Sequence, residues 1–204
     1  SSVSDVVESK ESFWANPLFK SRSAWSITIL FGLLNMIHYA SATWLPTILL
    51  TKGFTLVNAG ILVAVATLVG SLLSLAVPHF ASKRKDFRLV LIVFSIFLAI
   101  SYFAISVDTG MSLWVWVILG NIGVYVTFSI ALFLVVFRAA DAAKTKSLSI
   151  MMQSVGYIMA TTSPIILGRL FDLTENWNRA LYFIIALAGI QVLVALKAGS
   201  NEKV

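Results

Sequence analysis

Ser147 to Trp177 reads SLSIMMQSVGYIMATTSPIILGRLFDLTENW, and the uncharged run inside it decides the fold. From Leu148 to Leu167 no residue carries a formal charge. About 20 helical residues at about 1.5 Å each cover a hydrocarbon core of about 30 Å, so the segment is predicted to cross a bilayer. A plain lipid anchor has no use for Gln153, Ser154, Tyr157, Thr161, Thr162 and Pro164, all of which fall at membrane depth. An amide surrounded by lipid tails finds no hydrogen-bond partner, so this part of the helix must face protein or water. Gln153, Gly156 and Tyr157 share one helical face, and Ala160, Thr161 and Pro164 continue it. Pro164 withholds the amide that would serve the Ala160 carbonyl, so a bend, or support from neighbouring hydroxyls, is expected there. Two readings of this seam stay open: close helix packing through small residues, or a gating helix, with Gly156 and Pro164 as its gating positions, lining a central cavity.

Composition agrees with a membrane origin. Of 204 residues 59% are apolar and 12% charged, whereas soluble domains carry about 25% charged residues. Cysteine is absent, which removes disulfides, thiolate chemistry and cysteine-held metals. The net charge of +6 does not point to nucleic acid, because the basic residues fall in short inter-helix loops.

Six apolar spans are predicted, at Ala24–Leu50, Leu56–Phe80, Phe87–Val107, Ser112–Phe137, Ser147–Leu170 and Asn178–Leu196. Each is too long and too evenly apolar for a barrel strand, so the fold class is an all-α membrane bundle. A polar segment, residues 1–24, is expected to be a cytoplasmic linker before a bundle at 25–198 and a cytoplasmic tail at 199–204. Twelve of the fifteen Lys and Arg fall on one side: Lys10, Lys20 and Arg22, the Lys83–Arg88 turn, Arg138, Lys144, Lys146, Lys197 and Lys203. Lys52, Arg169 and Arg179 fall on the other. That asymmetry predicts a multi-pass protein of the cytoplasmic (inner) membrane with both termini in the cytoplasm. Trp44, Trp114, Trp116 and Trp177 then lie near the outer boundary.

Two further spans carry polar groups at mid-membrane. The first holds Asn35, His38 and Tyr39, and the fourth holds Asn121, Tyr125 and Ser129 at i, i+4 and i+8. A histidine at that depth belongs against protein or a wet cavity. Two roles for it stay open, a hydrogen bond to an adjacent helix or contact with a solute or proton. With the fifth span, three helices have stripes able to face one aqueous cavity. Arg138 closes the fourth span, where a cation suits a helix C-terminus. No acidic residue lies inside a span, and no nucleophile–base pair, HExxH or phosphate loop exists, so an enzyme, a cofactor and a metal site are not expected.

Several stretches together resemble the C-terminal half of a Major Facilitator Superfamily transporter, in particular the cyanate/2-nitroimidazole porter subfamily. They are WLPTIL (Trp44 to Leu49) with NAG (Asn58 to Gly60), the pattern P-x5-R with KDFR after the second span, and FRAADAAKTKSLSIMMQSVGYIMATTSPIILGRLFDLTENW. Ser163 stands where the subfamily has Gly before Pro, and Glu175–Asn176 replaces its Gly-containing turn before Trp177. The superfamily loop motif G-x3-D-R-x-G-R survives here only as basic residues. The resemblance implies helices seven to twelve of a twelve-helix carrier, built as two inverted three-helix repeats, with a solute near the midplane.

The expected function is secondary transport of a small polar or anionic solute, with Asn35, His38, Tyr39, Asn121, Tyr125, Gln153 and Tyr157 at the solute. Expected partners are membrane lipid and an N-terminal six-helix half, or a second copy of the chain. A stand-alone six-helix protein, a homodimeric half-transporter or an assembly subunit, is the rival. The loop-like opening without an initiator Met favours a fragment of a longer carrier.

Overall fold

A computed structural model describes residues 17–202. Residues 1–16 of the expected linker, with Lys10, and Lys203 lie outside the described residues. A 3-10 turn at Pro17–Lys20 leads into six helices: α1 (Arg22–Thr51), α2 (Leu56–Ala81), α3 (Arg88–Val107), α4 (Ser112–Arg138), α5 (Ala142–Thr174) and α6 (Trp177–Ala198). All six, 20 to 33 residues long, are long and apolar enough to cross a membrane, and no strand occurs among the described residues. The chain is an integral, multi-pass membrane protein.

Local chemistry sets the boundaries. The side chains of Ser21, Thr55, Asp141 and Asn176 accept hydrogen bonds from the backbone amides of Ala24, Asn58, Lys144 and Asn178, each opening a helix. The Asp141 cap explains why α5 starts at Ala142, ahead of the predicted Ser147. At its other end α5 runs on to Thr174 and stops at Glu175, held in the left-handed region at φ 48°.

The packing has an internal two-fold pattern. Exchanging α1–α3 with α4–α6 maps the α1/α5 pair onto α4/α2 and the α3/α4 pair onto α6/α1, and all four pairs pack together. The α3/α6 and α1/α4 pairs map onto themselves. Six alternating spans make α1 and α4 antiparallel, so the two repeats have opposite orientation in the membrane.

Each repeat ends in the same clasp. Lys52, just beyond α1, donates from Nζ to the carbonyls of Asp108 at 2.9 Å and Ser106 at 3.4 Å, where α3 ends. Burial lowers the Lys52 pKa, and the Asp108 carboxylate opposes that shift. Arg138, at the end of α4 and 1% exposed, donates to the carbonyls of Ala198 at 2.6 Å and Glu202 at 3.1 Å, where α6 ends. It therefore caps a neighbouring helix and not its own, because side chains on a helix lean toward its N-terminus, away from the last carbonyls. Arg138 also donates to Ser23 at 3.3 Å, and the Phe87 amide donates to Gly199 at 2.9 Å. These bonds gather the starts of α1 and α3 and the ends of α4 and α6 on one face. The Lys52 clasp lies on the other.

The α1/α5 crossing is a close one, made on two glycines. A Cβ on Gly156 would sit 2.5 Å from the Phe31 ring, and one on Gly32 would sit 2.5 Å from the Met159 sulfur. Away from that crossing, α3 turns Leu89, Val93, Ile96, Ile100 and Phe103 outward, a stripe suited to lipid.

Two stability changes are expected. Gly156→Leu should wedge α1 from α5 and cost about 1–3 kcal/mol or more. Glu175→Gly relieves a left-handed non-glycine residue and should stabilise by about 1 kcal/mol, raising Tm by about 2–4 °C in a detergent melt.

Candidate functional site

The uncharged polar groups gather on α1, α4 and α5. His38 of α1 is half-buried, and its ring meets those of Tyr125 on α4 and Tyr39 edge-on, at 5.8 and 5.7 Å. No described residue hydrogen-bonds its imidazole, so of the two roles left open, the interhelix hydrogen bond is not made. Tyr39 is 42% exposed.

On α4, half-buried Asn121 donates its amide to the Val117 carbonyl at 3.0 Å. One turn on, Tyr125 lies against α2 so closely that a Cβ on Gly70 would come within 2.7 Å of its ring and 3.0 Å of the Asn121 carbonyl. Glycine at position 70 is what admits this approach. Ser129, next on the stripe, donates to the Ser74 carbonyl of α2 at 3.1 Å. Between these helices His38 and Asn121 share a hollow of about 40 Å³ with Ser41, Thr67 and Tyr102, large enough to hold water.

On α5, Gln153 and Tyr157 are exposed. The Tyr157 ring stands edge-on to Phe31 at 5.5 Å, and Phe31 in turn packs on Phe128 of α4 at 5.6 Å. Phe31 and His38 lie seven residues apart on one face of α1, about 10 Å along the axis. Tyr157 and Tyr125 thus contact that face at two depths.

Packing splits the fifth-span seam. Gly156, Ala160 and Ser163 are buried, whereas Gln153, Tyr157 and Thr161 stay open. α5 continues through Pro164 without interruption. The Ser163 hydroxyl donates to the Ala160 carbonyl at 2.9 Å, replacing the amide that proline lacks, and to the Met36 carbonyl of α1 at 2.7 Å. Trp44 of α1 donates its indole N–H to the Pro164 carbonyl at 2.9 Å. The expected support by hydroxyls is present, and it ties the proline to α1.

Asn35 is the candidate that is not open. It is 2% exposed and donates to the Phe31 carbonyl at 2.7 Å, one turn back. An amide bonded to its own helix is satisfied without water, so it can sit in the dry core. Sequence reasoning also missed Tyr102, wholly buried in the most apolar helix and hydrogen-bonded to Ser41, which in turn donates to the Ile37 carbonyl at 2.7 Å. A lone tyrosine in FRLVLIVFSIFLAISYFAISV was the signal available. Trp177 is buried, stacked on Phe171 at 4.1 Å and packed on Trp44 at 5.3 Å, so these two indoles are packing groups.

Comparison with known proteins places these features in a family. The model described as Major Facilitator Superfamily matches residues 4–164. The chain is 27% identical over 191 residues to the 2-nitroimidazole transporter of Escherichia coli (strain K12), covering 94% of this chain and 47% of that protein. It is 30% identical over 189 residues to the uncharacterized transporter YycB of Bacillus subtilis (strain 168), covering 92% and 47%. Identity to the cyanate transport protein CynX of Escherichia coli (strain K12) is 28% over 158 residues, covering 76% and 40%. The chain spans about half the length of the curated relatives it matches.

Ser163→Ala strips the Ala160 and Met36 carbonyls of their shared donor in a buried place. A loss of about 1–3 kcal/mol is expected, read as a lower unfolding midpoint, and Ser163→Thr, which keeps a hydroxyl, should recover part of it.

Proposed function

The chain belongs to the Major Facilitator Superfamily, and we propose that it forms one half, helices seven to twelve, of a secondary transporter for a small polar or anionic solute. The observation that carries this reading is that His38, Tyr39, Asn121, Tyr125, Gln153 and Tyr157 are all exposed or only half-buried within apolar helices. Neutral hydrogen-bonding groups stand open or half-open on helices that otherwise present apolar side chains. Such groups bind a small polar solute without holding it too tightly to release, and any charge it carries is matched from the facing half. The mechanism proposed is alternating access, in which two bundles rock about a site between them. Gly156 and Pro164 serve as gating positions: the first sets how closely α5 rides on α1, and the second sits where a hydroxyl and an indole, not the regular ladder, hold the backbone.

On this reading residues 1–24 link the halves, 25–198 form the bundle and 199–204 the tail. The face bearing Arg138 is cytoplasmic, and the membrane is the cytoplasmic one. Exposed apolar residues on α2, such as Leu68, Leu72 and Leu75, support contact with a second bundle and lipid.

The test is uptake by the assembled carrier in proteoliposomes, with radiolabelled cyanate and 2-nitroimidazole as probes suggested by the named relatives. Gln153→Leu with Tyr157→Phe should lower uptake about tenfold or more, as expected when two solute hydrogen bonds are lost. Wild-type rates in that double variant would remove these positions from the site.

A further inference from the structure

A groove of about 630 Å³ opens between α2 and α3, with α4 as its floor. Its walls are apolar: Leu73, Val77 and Phe80 from α2, Phe94 from α3, and Ile122 and Val126 from α4. At its end stand Lys83 and Arg84, in the turn joining α2 to α3. No carboxylate lines the groove, and the ion pairs among the described residues are Arg88–Asp86 and Lys197–Glu202. Neither Lys83 nor Arg84 therefore has an acidic partner there.

The internal two-fold shows that this opening is not dictated by the fold. Its counterpart is the cleft between the end of α5 and the start of α6 over the second half of α1. That cleft is filled by three aromatic rings, Phe171 on Trp177 at 4.1 Å and Trp177 on Trp44 at 5.3 Å. In the first repeat α2 and α3 barely touch, and the equivalent space is left open beside two cations.

We propose that this groove binds an anionic glycerophospholipid of the adjacent leaflet, one acyl chain in the hollow and the phosphate at Lys83 and Arg84. Charge alone would draw a diffuse cloud of anionic headgroups, and an apolar hollow alone would take any acyl chain. A lipid with both parts uses both, and a cationic end at the bilayer surface with an apolar trough running inward matches its length axis. The site rests on the membrane-spanning helices and is independent of which solute is carried.

The experiment is native mass spectrometry of the assembled carrier released from nanodiscs of equal phosphatidylglycerol and phosphatidylcholine. Wild type is expected to retain phosphatidylglycerol preferentially. Lys83→Gln with Arg84→Gln should cut the retained phosphatidylglycerol-to-phosphatidylcholine ratio about tenfold. Ala76→Trp, at an exposed groove position, should reduce total retained lipid while helicity by circular dichroism stays unchanged. Lys144→Gln with Lys146→Gln, in the first turns of α5 on the same face, should leave the ratio as in wild type. Equal retention of the two lipids by wild type, or an equal drop in both double variants, would overturn the site and leave ordinary surface attraction. Full retention in Ala76→Trp would do the same, the groove then being covered by the other half of the carrier.

Discussion

The contact between α1 and α5 is the constraint from which the rest of the bundle follows. Two glycines, Gly32 and Gly156, let the backbones close until Met159 and Phe31 fill the space a side chain would need. At that separation a serine hydroxyl reaches across to a main-chain carbonyl and an indole reaches back to the next one. Without strong hydrophobic driving force between helices in lipid, this combination of small residues and interhelical hydrogen bonds is what holds a membrane bundle together. It also fixes which residues stay open, since burying Gly156, Ala160 and Ser163 against α1 leaves Gln153, Tyr157 and Thr161 exposed beside the contact, with the Tyr157 ring at its edge against Phe31.

Burial and openness are thus two outcomes of one helical rotation. The same holds for α4, where Gly70 of α2 admits the Asn121–Tyr125 stretch and leaves Tyr125 edge-on to His38. Polar groups that find a backbone partner in their own helix, as Asn35 does, can retire into the core. His38 has no such partner, and its side chain remains available.

Much of this was legible in the sequence. Six spans, the all-helical class and the polar seams follow from charge-free lengths of about bilayer thickness and from helical spacing. Spacing could not tell which half of a seam faces a neighbour, because Gly156 and Tyr157 are adjacent on the same stripe and only the packed structure separates them. Nor could it tell that Asn35 bonds backward, since an amide at mid-membrane reads the same whether its partner is water or a carbonyl four residues away. Arg138 looked like a cap for its own helix, and its reach to α6 depends on a contact between residues 60 apart in sequence. The Glu175 turn read as a departure from glycine, and the left-handed backbone that glycine would favour is found there on a glutamate.

The paired clasps bear on how such a protein is made. Lys52 finds its carbonyls 54 and 56 residues downstream, so the first repeat can be fastened once α3 has left the ribosome. Arg138 must wait for residues 60 and 64 positions later. Until Ala198 emerges, its guanidinium has no acceptor at the end of α6, and a buried cation without acceptors is costly. The Arg138 clasp therefore closes only once the last turn of α6 is in place, whereas the Lys52 clasp needs nothing beyond α3.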